Sequence, residues 1–346
     1  MQAAGLRNLR VAVPAAFAAL LIAVVLGLLV GPIPIPLGGV LRELADHLPF
    51  VHVRSGLSEQ NAAIVWQFRA PRVVLGATVG AMLALAGASY QGAFRNPLAD
   101  PYLLGVAAGA GLGATIAIVA RSSTATSGVL SPIPVAAFAG ALAAAALTAT
   151  VGGFGGRSST TRLVLSGVAV ASFLTAAQTY TLQRNNDVLR EVYSWILGRL
   201  TTSKWSDVAI VLPYVVVSSI VLLASRRTLD VLAVGDEEAA TLGIRVNRAR
   251  LVVVAAASLG TAAAVSVSGL IGFVGIIVPH TVRLLVGGSY RRILPLSMVV
   301  GAAFLVATDL LARTVSSPAE LPIGVITAFI GAPFFLLVLR TRAASA

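Results

Sequence analysis

The 346-residue sequence has no cysteine, three histidines and 13 acidic residues, and only 11% of it is charged. Without cysteine there is neither a disulfide framework nor a thiolate metal site. His47, His52 and His280 are too few and too dispersed to form a metal centre. A soluble domain carries about 25% charged residues, so this composition excludes an ordinary soluble fold. No long polar block exists that would fold separately. No nucleophile is paired with a base, so no catalytic site is expected. Two glycine-rich runs imitate nucleotide sites but fail on context. GAGLGA (109–114) lies inside an apolar run with no preceding strand, and GGFGGRSST (152–160) has the wrong glycine spacing and no lysine. The chain has no nucleotide-hydrolysing motif.

What it does have is apolar length. The sequence is 57% hydrophobic with a mean hydropathy of +0.91. Runs of about 20 apolar residues recur throughout, which is the mark of transmembrane helices. Ten spans are predicted, near 11–31, 70–92, 101–120, 131–151, 162–182, 207–225, 250–268, 271–287, 294–313 and 321–340. The expected fold is an all-α polytopic membrane protein, with 1–346 as a single transmembrane domain. The first run follows Arg7 and Arg10 but is too long for a signal h-region and ends in GPIPIP, so it is expected to be retained. The net charge of +12 sits in short clusters at the ends of apolar runs, which fits membrane topology and not nucleic-acid binding. Alternate sides of the ten-span arrangement carry 15 and 10 Lys and Arg residues. The positive-inside rule puts the richer side, with both termini, in the cytoplasm of a multi-pass cell-membrane protein.

QGAFRNPLADPYLLG (91–105) interrupts the second and third spans. Pro97 disfavours helix at Asn96, ending the second span. Asp100 followed by Pro101 reads as an N-cap with proline at the first helical position, starting the third. Small residues recur every fourth position in both spans, at Gly76, Gly80, Ala84, Ala88 and Gly92, and at Gly105, Gly109 and Gly113. Rows of this kind let helix backbones approach closely, so a closely crossed pair of second and third spans is expected. Asp309 lies inside the ninth span with Arg313 one turn onward, an available intrahelical pair. Between Arg226 and Arg250 runs a charged stretch of about 25 residues. Asp236, Glu237 and Glu238 suit a helix N-terminus there, and Gly243 suits its end.

Several of these stretches resemble one family. WQFRAPR (66–72), QGAFRNPLADPYLLG (91–105), RLVLSGVAV (162–170), YSWILGRL (193–200), VGDEEAATLGI (234–244), GLIGFVGIIVPHTVRLLVG (269–287) and ELPIGVITAFIGAPFF (320–335) are similar, in order, to the permease subunits of ABC importers for ferric siderophores, haem and cobalamin. These are FecCD-type permeases of type II importers. The resemblance implies ten helices per subunit and two copies around a central path. It also implies two cytoplasmic ABC ATPases that hold ATP and Mg, an external substrate-binding protein, and an iron or other metal chelate as cargo. No cofactor would be bound by this subunit.

By the same resemblance, Asp236, Glu237, Glu238, Ala239, Ala240, Leu242 and Gly243 form the ATPase-coupling segment, within a cytoplasmic loop at about 226–250. Arg69, Arg72 and Arg313 are expected to meet acidic residues of the binding protein. Arg199 replaces the small residue often found in its motif. The fifth span is expected to line the path with Ser166, Ser172, Thr175, Gln178 and Thr179. Asn96, Pro97, Asp100 and Pro101 form the structural turn, and no residue is assigned to a metal. The competing classes are an ion-gradient-driven secondary transporter, for which Asp309 is the one acidic candidate within a span, and a membrane scaffold.

Overall fold

A computed structural model describes residues 2–31, 33–48, 53–123, 132–153 and 160–343. Among the described residues every element is helical. Lipid offers no water to satisfy backbone groups, so apolar runs such as these must close their hydrogen bonds within each helix. Among the described residues seven helices are long and apolar enough to cross a membrane, and three shorter apolar helices, Val106–Arg121, Val274–Val286 and Ile323–Val338, occupy the remaining predicted spans.

The order begins with α1 (Gln2–Leu29), the short α2 (Leu37–Asp46) and α3 (Glu59–Ala63). Ser58 caps α3 by accepting from the Asn61 N–H at 3.3 Å. A π-helical turn at Ile64–Arg69 then leads directly into α4 (Ala70–Phe94), so the second span begins well before residue 70. There follow α5 (Val106–Ser123), α6 (Pro132–Val151), α7 (Thr160–Arg184), α8 (Leu189–Ile196) and α9 (Trp205–Ala224). Two short helices, α10 (Arg226–Leu232) and α11 (Asp236–Thr241), precede α12 (Val246–Ser268), α13 (Val274–Val286), α14 (Tyr290–Thr314) and α15 (Ile323–Ala343). At 13 residues, α13 is about 20 Å long, too short for a hydrocarbon core of about 30 Å.

Helix α4 is the axis of the bundle, buried along almost its whole length and packed against α14, α12, α13 and α9. Its glycine row meets α14 rather than α5. A Cβ added at Gly80 would overlap the Gly301 carbonyl oxygen, and one at Gly301 would overlap the Gly80 carbonyl. The α5 row serves another partner, since Cβ atoms at Gly109 and Gly113 would overlap the Gly140 and Ala136 carbonyls of α6. The expected crossing of second and third spans is therefore replaced by two separate close pairs, α4 with α14 and α5 with α6. Helices α1, α6, α7 and α9 stay mostly uncovered by their own chain, as helices facing lipid or a partner do.

The turn between α4 and α5 also departs from expectation. Arg95 ends α4 in the left-handed region (φ 50°), and Asn96 donates its N–H back to the Gln91 carbonyl. The Asn96 side chain accepts from Leu98 N–H at 2.9 Å. Asp100 does not cap a helix. Its Oδ1 accepts from Tyr102 N–H at 2.7 Å, two residues on, which closes an Asx-turn. Pro101 lies in that turn, and α5 begins only at Val106, after Gly105 at φ +74°.

Candidate functional site

Two polar clusters lie at opposite ends of α4, separated by its 25 residues, or about 37 Å. The first is built on arginines. Arg72 donates to both oxygens of Asp309 on α14 (2.9–3.1 Å) and to both oxygens of Glu320 in the α14–α15 connection (2.9 and 3.0 Å). Thr201 donates to the same Glu320 at 3.0 Å. Arg313 lies 3.5 Å from Asp309 and donates to the Gly27 carbonyl of α1 at 3.0 Å. Arg69 donates to the carbonyls of Leu28 and Leu29 (2.9 and 2.8 Å) and Ile33, closing the open C-terminal end of α1. Burial acts against ionisation of Glu320, but the hydrogen bonds and charge of Arg72 outweigh it and hold the carboxyl below its usual range.

Arg69, Arg72 and Arg313 are 5%, 9% and 7% exposed, so they are not free charges on an outer rim. They tie α1, α4, α14 and the α14–α15 connection together. The Asp309–Arg313 pair exists, but Asp309 is bonded chiefly to Arg72, 237 residues away in sequence.

The second cluster joins α11 to the rest. Arg250 donates to Asp236 (3.0 and 3.1 Å) and to the Ala93 carbonyl in the last turn of α4 (2.8 Å). Asp236 is thus anchored by its bonds while its side chain stays 42% exposed, and Ala239 is fully buried beneath the helix. Glu237, Glu238, Ala240 and Leu242 face out, with Leu242 69% exposed. Gly243 (φ +82°) closes the helix, with Ile244 N–H donating to the Ala239 carbonyl. Nearby, Asp230 accepts from Ser289 and from the Tyr290 N–H, fixing the start of α14.

The five polar residues of α7 divide between two faces. Ser172, Thr175 and Thr179 lie on the exposed face, whereas Ser166 and Gln178 are buried. Gln178 donates to Thr115 of α5 at 3.0 Å. Thr175, Gln178 and Thr179 border a cavity of about 410 Å³ that Tyr102, Tyr193 and Leu270 also line. His47 stacks on Trp66 (3.6 Å between ring centres) and His280 is buried against Phe334, while His52 lies outside the described residues. Among the described residues no group of acidic and histidine side chains is arranged to hold a metal.

The comparisons then decide the family. Residues 19–341 match the model of the FecCD transport family. The chain belongs to that family. This FecCD chain is 45% identical to the cobalamin import system permease protein BtuC of Halobacterium salinarum, over 83% of its length and 76% of that relative's. It is 39% identical to the hemin transport system permease protein HmuU of Yersinia pestis (80% and 84%). With the Fe(3+) dicitrate transport system permease protein FecD of Escherichia coli it shares 35% identity (92% and 94%). A solved inward-facing structure of a metal-chelate type ABC transporter superposes with a TM-score of 0.81 at 28% identity, covering 94% of this chain and 98% of that one.

Sequence reasoning missed three members of the FecCD chain's clusters: Glu320, Thr201 and Arg250. Glu320 is 248 residues from Arg72, so no local spacing announces the pair. Arg250 did carry a signal. It is a cation at the start of a long apolar helix, a position whose burial calls for a carboxylate partner.

Proposed function

We propose that the protein is the membrane permease of an ATP-driven importer for an iron chelate, with ferric siderophore first, haem second and cobalamin third. The observation that carries this reading is the family match along nearly the whole chain, joined to an α11 that presents Glu237, Glu238 and Leu242 outward while its inner face is fastened. The Arg250 end faces the cytoplasm, as do both termini, and residues 1–346 act as one transmembrane domain. Two ABC ATPase subunits, carrying ATP and Mg, engage α11. A second copy of the chain covers the exposed faces of α7 and α15, where Phe173 and Phe329 are 69% and 75% exposed. Between the copies, Ser172, Thr175 and Thr179 give the path a mild polar lining with no charge to trap a bulky chelate.

An external binding protein docks at the Arg72 end. Its carboxylates engage Arg72 only by displacing Glu320, whose side chain is 30% exposed. The ion-gradient alternative loses its candidate, because Asp309 is 3% exposed and held by two arginines. In proteoliposomes containing permease, ATPase and binding protein, ATP-dependent uptake should favour one of the three chelates. The double substitution Glu237→Arg and Glu238→Arg should abolish it. Undiminished uptake by the double variant would refute the coupling role of α11.

A further inference from the structure

Helix α11 has six residues, and so short a helix has little stability of its own. A push on it moves whatever it is fastened to. Arg250, 6% exposed at the start of α12, fastens it in two directions. Its Nη2 reaches both Asp236 oxygens, and its Nε reaches the Ala93 carbonyl, one of the carbonyls the end of α4 leaves without a helical partner. Arg95 approaches Asp236 from the same side at 3.8 Å, and Arg95 is the left-handed residue where α4 gives way to the turn.

That turn leads to the cavity. Its own bonds stiffen it, from Ala99 N–H to the Asn96 carbonyl and from Leu103 N–H to the Asp100 carbonyl. At its far end the Tyr102 hydroxyl donates to the Ile271 carbonyl (3.0 Å) and accepts from the Ile271 N–H (3.2 Å). Ile271 lies in the break between α12 and α13. Tyr102 and its neighbour Leu270 line the 410 Å³ cavity with Thr175, Gln178 and Thr179.

We infer that Arg250 is a positioning residue that passes movement of α11 to the 95–105 turn, and through Tyr102 to the cavity wall. The inference rests on the reading of α11 as the ATPase contact. Arginine suits this place because a guanidinium donates along two edges at once. Lysine at 250 would keep the charge, but its three donors share one nitrogen and cannot hold the two partners in the fixed geometry that Nε and Nη2 set.

Spatial continuity by itself does not establish coupling, so the test reads two segments separately. Hydrogen–deuterium exchange is measured on the permease–ATPase complex in nanodiscs, with and without ATP and orthovanadate. In the wild type, trapping should alter exchange at both 236–244 and 95–105. In Arg250→Met and Asp236→Ala, each of which removes one side of the Arg250–Asp236 bond, the change at 236–244 should persist while that at 95–105 falls at least fivefold. Arg250→Lys should recover thermal stability without recovering the response at 95–105, which a merely structural cation would restore. A wild-type response at 95–105 in either of the first two variants would overturn the inference. Should Arg250→Met fail to fold, Asp236→Ala carries the test, since it leaves the bond from Arg250 to the Ala93 carbonyl in place. If the wild-type ATPase complex shows no change at 236–244, the reading of α11 fails first and the inference falls with it.

Discussion

At the scale of single residues, burial decides what each charge does. Asp309 sits between Arg72 and Arg313 with almost no access to solvent. Removing one partner from a buried pair costs about 3–5 kcal/mol, because the remaining charge is stranded. Asp309→Ala should therefore lower the unfolding midpoint in detergent sharply, whereas loss of a solvated charge would leave it nearly unchanged. Reversing Arg69 and Arg72 to glutamate should likewise impair folding before any docking step. Asp100 behaves differently. Half-buried and bonded to the Tyr102 N–H, it has its pKa pushed by burial from 3.8 up to about 6, against the effect of that bond. Between those values the folded chain holds a proton that the unfolded chain releases. Its contribution to stability is thus full at low pH and is lost as pH rises through about 6. Unfolding midpoints should fall from pH 5 to pH 7 more in the wild type than in Asp100→Asn, which keeps the Asx-turn without the titration.

At the scale of elements, close backbone approach fixes the bundle. Without a hydrophobic drive between helices in lipid, contact through small residues carries the association. A Cβ on Gly80 meets the Gly301 carbonyl and lies 2.7 Å from Leu305 Cβ, so even Gly80→Ala overpacks the α4–α14 contact. Overpacking of this kind costs about 1–3 kcal/mol. Gly288→Ala, where a Cβ meets nothing within 4 Å, should be silent in the same thermal assay. The row of small residues was visible in the sequence, but its partner was not. A repeat of four defines a helical face, and many helices in an alanine-rich chain offer a matching one. The turn at 95–105 was half legible for a related reason. Pro97 announced the end of α4, yet Asp100 and Pro101 are equally good chemistry for a helix start and for an Asx-turn. The Tyr102–Ile271 bonds tip the choice.

At the scale of the whole molecule, the arginine cluster and the Arg250 cluster bracket α4, so both ends of the central helix are tied to other elements. Charge substitutions at the outward face of α11 should leave the fold intact and abolish uptake. Substitutions within the arginine cluster should do the reverse, lowering the midpoint first. Measuring unfolding midpoint and ATP-dependent uptake on the same set of variants separates the two ends. Equal loss of both at Glu237 and Glu238 would argue against a surface role for α11.

Composition and apolar periodicity alone determined the class and the ten long apolar segments, though not the short helices between them, because lipid imposes length and backbone satisfaction on each segment independently of the others. The motifs in order determined the family. Helix α11 was legible because acidic first turns and a closing glycine are local signals. Tertiary structure decided what local signals cannot carry. It decided that the arginines at 69, 72 and 313 point inward, because Arg72 meets Asp309 and Glu320, 237 and 248 residues away, while Arg69 and Arg313 donate to backbone carbonyls of α1 with no sequence signature. It decided that Gln178 leaves the open face of α7 for Thr115. It also decided that Asp236 is an anchor while Glu237 and Glu238 are surface, since the direction of a side chain on a two-turn helix depends on what lies beneath it.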